Sequence, residues 1–193
     1  MNLAIILISS AFINNYVLTQ FLGMCPFFCV SKKTEMAMGM GLSVLFVMTL
    51  ASIVTHLFYN LVLVPLNITY LQIIVFVLII ASTVQFVEIY MKKTLRTLYS
   101  TLGIYLPLIA TNCAIMGVAL INIQSDFTFM EAIVNSIGAG SGFLLAMVLL
   151  AGIREKYDND PDIPEVFKGF PLALFAAGLM SLAFMGFQGL ILG

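Results

Sequence analysis

Two cysteines lie beside helix-breaking or polar residues inside apolar sequence, and they are the residues best suited to chemistry. Cys25 stands between Gly23 and Pro26, and Cys113 directly follows Asn112. Soft thiolate ligands suit iron–sulfur or zinc sites, and an iron–sulfur cluster normally takes four cysteines. Two thiols from one chain would therefore supply half of a cluster, and a second subunit would have to supply the rest.

Other interpretations of the thiols stay open at this point. A single buried cysteine usually behaves as a small hydrophobic residue, which would make the chain a structural scaffold, and we assign the third cysteine, Cys29, to packing. A secondary transporter is a further alternative, although the midplane polar groups are only a few asparagines and threonines. The single histidine, His56, excludes a multi-histidine haem or metal site within this chain.

The composition indicates an all-α integral membrane protein. Hydrophobic residues make up 62% of the 193 and charged residues 9%, whereas a soluble domain carries about 25% charged residues. Apolar runs of roughly 20 residues are long enough to span a bilayer. They leave almost no chain for a soluble part, so residues 1–193 form a single transmembrane domain. Six runs are present: Leu3–Val30, Met36–Tyr59, Ile68–Met91, Leu98–Ile123, Glu131–Gly152 and Phe170–Leu192.

The basic residues predict the orientation. All eight lie in the connections after the first, third and fifth runs. The positive-inside rule places these connections in the cytoplasm and both termini on the outer side. The first run continues well past the length of a signal peptide and has no basic segment before it, so we interpret it as a retained helix.

Breaks are predicted in helices one and four. Pro26 lacks a backbone N–H, and Gly23 tolerates unusual dihedral angles, so helix one should unwind at Gly23–Pro26. Helix four has comparable features between Pro107 and Asn112. Backbone groups freed inside a membrane need polar partners, and Asn15 and Asn112 are suited to that role.

The two thiols should lie at the same depth in the membrane only if these breaks exist. Cys25 is seven residues from Lys32, about 10 Å along an ideal helix, whereas Cys113 is seventeen residues from Arg96, about 25 Å. Continuous helices would therefore hold the two thiols at different depths in the membrane.

The two halves of the chain share several ingredients. Each begins with a run that contains a helix breaker, an asparagine and a cysteine, followed by a helix that opens with small residues. We interpret residues of about 1–91 and about 98–193 as two three-helix repeats. Since three is odd, the second repeat enters from the opposite face, an arrangement that places sites at the midplane between broken helices.

Seven segments spread over nearly the whole chain carry a family resemblance. They are Asn14-Asn15-Tyr16-Val17-Leu18, Phe21-Leu22-Gly23-Met24-Cys25-Pro26-Phe27, Val30-Ser31-Lys32-Lys33, Leu102-Gly103-Ile104-Tyr105-Leu106-Pro107-Leu108-Ile109, Thr111-Asn112-Cys113-Ala114, Gly152-Ile153-Arg154-Glu155 and Ala177-Gly178-Leu179-Met180. The sequence resembles the RnfA/NqrE family of membrane subunits. These occur in the Rnf electron-transport complex and in the sodium-pumping NADH:quinone oxidoreductase, and the Asn-Asn pair and Gly-Met-Cys-Pro lean towards RnfA.

The resemblance implies a function, a cofactor and partners. It implies ferredoxin:NAD oxidation–reduction coupled to sodium or proton transport, with an NqrE-like role as the alternative. It also implies a 2Fe–2S cluster shared with a homologous RnfE-like subunit, for which Cys25 and Cys113 would be ligands and Gly23, Pro26, Asn15 and Asn112 the surroundings. The further partners would be RnfB, RnfC, RnfD and RnfG, and no nucleic acid would be bound. The protein would lie in the bacterial inner membrane.

Overall fold

The described part of the chain is helical throughout. The computed structural model describes residues 3–66, 69–94, 106–158 and 169–188, and within these ranges there is no strand. The predicted all-α class is thereby confirmed. Several residues used in the sequence argument lie outside the described ranges: Arg96, residues 98–105, Lys168 and residues 189–192.

The first apolar run forms three short helices instead of one. Helix α1 (Leu3–Ile8) continues as a π-helical turn over Ser9–Ile13, α2 covers Tyr16–Thr19 and α3 covers Met24–Val30. The chain therefore breaks twice, once at Asn14–Asn15 and once at Gln20–Gly23. The second break is the predicted one, whereas the first was not foreseen.

The next two runs form long helices. Helix α4 spans Thr34–Phe58 and passes through a π-helical turn into the short helix α5 (Val64–Leu66). A single 3₁₀ turn, Thr69–Leu71, then leads into α6 (Gln72–Thr94).

The second half contains the other predicted break. Helix α7 covers Leu106–Ala110 and α8 covers Cys113–Gln124, so the chain breaks at Thr111–Asn112. Helix α9 runs from Phe129 to Asp158, and α10 from Phe170 to Gln188. Because α9 extends six residues beyond the predicted end at Gly152, Arg154 lies on a helix and not in a loop as expected.

The helices identify a multi-pass membrane protein. Within the described ranges, four helical stretches are long and apolar enough to cross a bilayer: Thr34–Leu63, Gln72–Tyr90, Pro107–Gln124 and Phe129–Tyr157. Leu3–Ile13 and Phe170–Gly186 are shorter apolar helices. The expectation of six spans therefore stays a prediction.

Helix α9 is the central element, and its glycines permit close packing on two sides. A Cβ atom at Gly140 would lie 2.9 Å from the backbone of Leu45 on α4, and one at Gly142 would lie 2.7 Å from the carbonyl oxygen of Ala11. Small residues let membrane helices approach each other closely. The glycines in the first half of α9 therefore let the π-helical turn and α4 pack against the same helix.

Candidate functional site

Asn15 organises the first break. Its side chain accepts a hydrogen bond of 3.1 Å from the backbone N–H of Val17 and so caps the N-terminus of α2. The same side chain donates through Nδ2 to the carbonyl oxygen of Gly142, at 2.9 Å. Asn15 is buried. Asn15 thus lies at the unforeseen break Asn14–Asn15 and not at the predicted break Gly23–Pro26, and its place in the surroundings of a cluster stays a prediction.

Gly23 makes the second break. Its φ of 82° lies in the left-handed region, and α3 begins at the next residue. L-residues with a Cβ atom occupy this region at a cost. Pro26 lies in the first turn of α3, where its missing N–H would have had no helical partner. Gly23 thus permits the turn that precedes α3, and proline fits the first turn of α3.

Asn112 repeats the arrangement of Asn15 in the second half of the chain. Its side chain accepts a hydrogen bond of 3.0 Å from the backbone N–H of Ala114 and caps α8. The backbone angles of the two caps are nearly the same, at φ −65° and ψ 103° for Asn15 and φ −73° and ψ 113° for Asn112. The two asparagines, rather than the two cysteines, therefore occupy matching positions.

A hydrogen bond joins the turn before α3 to the start of α8. The backbone N–H of Gly23 donates to the Sγ atom of Cys113, at 2.9 Å. Gly23 precedes Cys25 by two residues, so the break before α3 lies directly against the start of α8. The second and third breaks thus place Cys113 beside the turn that precedes α3, while a common depth of the two thiols stays a prediction.

The thiols of Cys25 and Cys113 are both exposed on this chain. Cys29 is also exposed, so its assignment to packing within this chain is wrong. The three thiols are therefore accessible on this chain to a partner surface or a bound group.

The amide nitrogen of Asn112 is a buried donor next to Cys113. The residue is 3% exposed, and its Nδ2 atom has no hydrogen-bond partner within the described part of the chain. An unpaired buried donor costs about 1–3 kcal/mol. A donor left unpaired at this position is suited to an acceptor that arrives with a partner or a bound group.

Arg154 is a site residue that sequence reasoning missed. Its Nη1 atom donates to the carbonyl oxygen of Phe28, at 2.8 Å, and to the hydroxyl of Ser31, at 3.1 Å. Both acceptors lie at the C-terminal end of α3, where a positive charge is favoured by the helix dipole. The helix that carries Cys25 is therefore held at both ends.

The donor set is incomplete within the described residues. They contain no group of three or more histidine, cysteine or acidic side chains that could hold a metal ion. The site consists of two exposed thiols, the backbone N–H of Gly23, which donates to the Cys113 sulfur, and the unpaired amide nitrogen of Asn112. This arrangement can supply part of a metal site at an interface.

Comparison with known proteins identifies the family. The family described as "Rnf-Nqr subunit, membrane protein" matches residues 3–191. The chain is 54% identical, over the full length of both proteins, to a subunit of the "Na(+)-translocating ferredoxin:NAD(+) oxidoreductase complex" of Acetobacterium woodii.

Two further relatives are named as the corresponding subunit of an "Ion-translocating oxidoreductase complex". The protein of Syntrophotalea carbinolica is 50% identical over 100% of this chain and 99% of its own length. The protein of Pasteurella multocida is 52% identical over 97% of each chain. With this similarity over its whole length, the chain belongs to the Rnf-Nqr family of membrane subunits.

Proposed function

We propose that this chain is the RnfA subunit of an ion-translocating ferredoxin:NAD oxidoreductase complex. We further propose that Cys25 and Cys113 are two ligands of a 2Fe–2S cluster, and that a homologous RnfE-like subunit supplies the other two. The names of the relatives support the complex. The hydrogen bond from the Gly23 N–H to the Cys113 sulfur carries the proposal for the site.

The residues present fit such a cluster. Cys25 and Cys113 belong to adjoining breaks, and both thiols are exposed towards whatever covers this face. Hydrogen bonds to the sulfur atoms are among the features that set the potential of an iron–sulfur cluster, and Gly23 provides one. Two thiols are half of the usual four ligands, which agrees with a cluster placed between two subunits.

Each residue of the site has a defined task in this proposal. A 2Fe–2S cluster bound here would accept and release one electron. Cys25 and Cys113 would hold it, Gly23 would fix the Cys113 sulfur through its N–H, and the unpaired Nδ2 of Asn112 would offer a further donor. Pro26 and Cys25 both lie in the first turn of α3, which begins at Met24.

The paired asparagine caps support the proposed inverted repeats and hence a partner of like architecture. Asn15 and Asn112 cap short helices with the same backbone geometry. Transporters with inverted repeats commonly place their sites between such broken helices at the membrane midplane. The other partners in this proposal are the remaining Rnf subunits, RnfB, RnfC, RnfD and RnfG.

The proposed orientation has both termini on the outer side of the bacterial inner membrane. The hydroxyl of Thr34 donates to Glu155 at 2.6 Å, and Arg154 contacts Ser31. These contacts bring the basic residues after α3 to the same end of the bundle as the basic end of α9. Basic groups gathered at one end are what the positive-inside rule requires.

Iron content and spectroscopy of the purified complex test the ligand assignment. We expect Cys25→Ala and Cys113→Ala each to lose about two iron atoms per complex, together with one 2Fe–2S signal in electron paramagnetic resonance. Cys29→Ala is the matched control, because Cys29 lies one turn from Cys25 on the same helix and is also exposed. It should keep both the iron and the signal.

The outcomes separate the candidate functions. If both Cys25→Ala and Cys113→Ala keep the full iron content and the complete spectrum in an assembled complex, the ligand assignment is wrong. If this chain does not co-purify with other subunits from its native membrane, the proposal of an Rnf-type complex is wrong as well.

A further inference from the structure

An apolar crevice lies between α10 and the broken first run. Its inner part has a volume of about 200 Å³ and is lined by α2, α3 and α10, together with Phe21. Its open part, of about 580 Å³, continues along α10 from Pro171 to Met185. Phe21, Leu174 and Gly178 line both parts. The two parts therefore form one continuous crevice.

The lining of this crevice suits a hydrocarbon chain. Its residues are apolar except for Ser181, and the hydroxyl of Ser181 donates to the carbonyl oxygen of Leu18 at 2.6 Å. Protein interiors contain few voids larger than a water molecule, and an apolar cavity of about 150 Å³ takes up apolar molecules and stays free of water. The occupant of the crevice is therefore apolar.

The crevice begins at the basic end of the bundle. Its first residue on α10, Pro171, follows Phe170, whose ring centroid lies 5.4 Å from that of Phe28 on α3. From Pro171 to Met185 the helix rises about 21 Å, which is more than half of the roughly 30 Å hydrocarbon core of a bilayer. A chain in the crevice would run from this end into the middle of the membrane.

Arg154 brings an uncompensated positive charge to the same end. The residue is 7% exposed, and its partners among the described residues are two neutral oxygen atoms, on Phe28 and Ser31. Its Nε atom has no partner there. Buried charged side chains are normally paired with an opposite charge. The surroundings of Phe28 therefore favour a negatively charged group.

Exposed side chains add to this charge. Lys32 and Lys33 directly follow the end of α3, and Lys156 lies on α9. The acidic side chains described in the same region are Glu35 and Glu155, and Glu155 accepts a hydrogen bond from Thr34. With Arg154, the basic side chains outnumber these two carboxylates, so the region keeps an excess of positive charge.

We propose that the crevice binds an anionic phospholipid, with an acyl chain between α10 and the broken first run and the phosphate at the basic end beside α3. One molecule then satisfies both observations, because its chain matches the apolar lining and its phosphate matches the positive charge. Basic groups at the cytoplasmic ends of membrane helices are known to recognise anionic head groups. The bound chain supports α2 and α3, the short helices that line the crevice. The proposal does not depend on the iron–sulfur cluster.

Photo-crosslinking in the intact complex tests this proposal. The complex is placed in nanodiscs of phosphatidylcholine that contain a small share of a lipid with a diazirine on its acyl chain. This probe is either phosphatidylglycerol or phosphatidylcholine with the same chains, so the two differ only in the head group. Labelling of α10 and of residues 17–27 is compared with that of α6, whose exposed apolar side chains report on bulk lipid.

We expect the phosphatidylglycerol probe to label α10, relative to α6, about tenfold more than the phosphatidylcholine probe does. Gly178→Leu should remove most of this labelling, because it fills the crevice. Gly186→Leu is the matched control, since a Cβ atom at either glycine has nothing within 4 Å but Gly186 does not line the crevice. Combined Lys32→Gln and Lys33→Gln should reduce the head-group preference severalfold, whereas Lys93→Gln on α6 should not.

Equal relative labelling by the two probes would overturn the proposal, since the crevice would then hold only bulk lipid. No labelling of α10 would also overturn it and would indicate that another subunit covers the crevice. Unchanged labelling in assembled Gly178→Leu would place the lipid elsewhere, and an unchanged preference in the double lysine variant would remove the phosphate from the end of α3. The head-group comparison uses the unaltered complex, so it decides even if Gly178→Leu fails to assemble.

Discussion

At the scale of single residues, Gly23 combines a left-handed φ with close neighbours, so it tolerates a side chain poorly. A Cβ atom there would lie 2.9 Å from a ring carbon of Phe143 and 3.0 Å from both Ala114 and the Asn112 oxygen. The left-handed φ adds about 1–2 kcal/mol, and overpacking typically adds about 1–3 kcal/mol. We expect Gly23→Ala to lower the thermal stability of the complex and to weaken the contact with Cys113.

Thermal unfolding in detergent, followed by loss of the assembled complex, measures this effect. Gly178→Ala is the control, since nothing lies within 4 Å of its Cβ position and its φ is not positive. That change should be neutral or slightly stabilising, because alanine favours a helix over glycine by about 0.5–1 kcal/mol. Equal melting temperatures for Gly23→Ala and the parent would contradict the role assigned to the left-handed turn.

At the scale of elements, α3 is too short to be stable by itself and depends on its two ends. It has seven residues, whereas isolated helices shorter than about 12–15 residues are marginal in water. The Gly23–Cys113 hydrogen bond holds its start, and Arg154 holds Phe28 and Ser31 at its end. The position of Cys25 therefore depends on two distant parts of the chain.

Replacing Arg154 should loosen α3 without unfolding the bundle. Loss of a hydrogen bond to a charged group costs about 1.5–3 kcal/mol, so we expect Arg154→Ala to lower hydrogen-exchange protection of Met24–Val30 by tenfold or more. Arg154→Lys should restore part of it. Lys156→Ala, an exposed residue on the same helix, should leave the protection unchanged, and protection unchanged in Arg154→Ala would rule out the anchoring role.

Helix α9 connects the broken segments of the first run, and its glycines make the contact possible. Gly142 has the backbone of Ala11 within 2.7 Å of its Cβ position and accepts a hydrogen bond from Asn15. We expect Gly142→Leu to prevent this contact and to abolish assembly of the complex, as measured by co-purification. Gly152→Ala on the same helix has open space around it and should assemble normally. Assembly of Gly142→Leu at the normal yield would contradict the close approach.

At the scale of the whole molecule, local signals predicted two of the three breaks in the described residues, and long-range contacts decided the rest. Gly23 and Pro26 mark their break by their own backbone properties. The first break, in contrast, depends on Asn15 reaching Gly142, 127 residues away. The sequence placed Arg154 among the basic residues of a loop. Its contact with Phe28 joins positions 126 residues apart, so no local pattern could reveal it. The meeting of Gly23 with Cys113 likewise required the folded bundle, since the sequence places the two thiols at different depths.

The topology of the whole chain can be tested at five described positions. If six segments cross the membrane with both termini outside, successive connections must alternate between the two faces. We expect an impermeant maleimide applied to intact inner-membrane preparations of known orientation to label Asn60→Cys and Asp126→Cys from the outer face. Lys33→Cys, Lys93→Cys and Tyr157→Cys should react only from the cytoplasmic face. The reason is that basic side chains at Lys33, Lys93 and near Tyr157 resist transfer across the membrane. If two neighbouring connections are labelled from the same face, the segment between them does not cross the membrane. If every position is labelled from the face opposite to the expected one, the orientation is inverted and the six spans are retained.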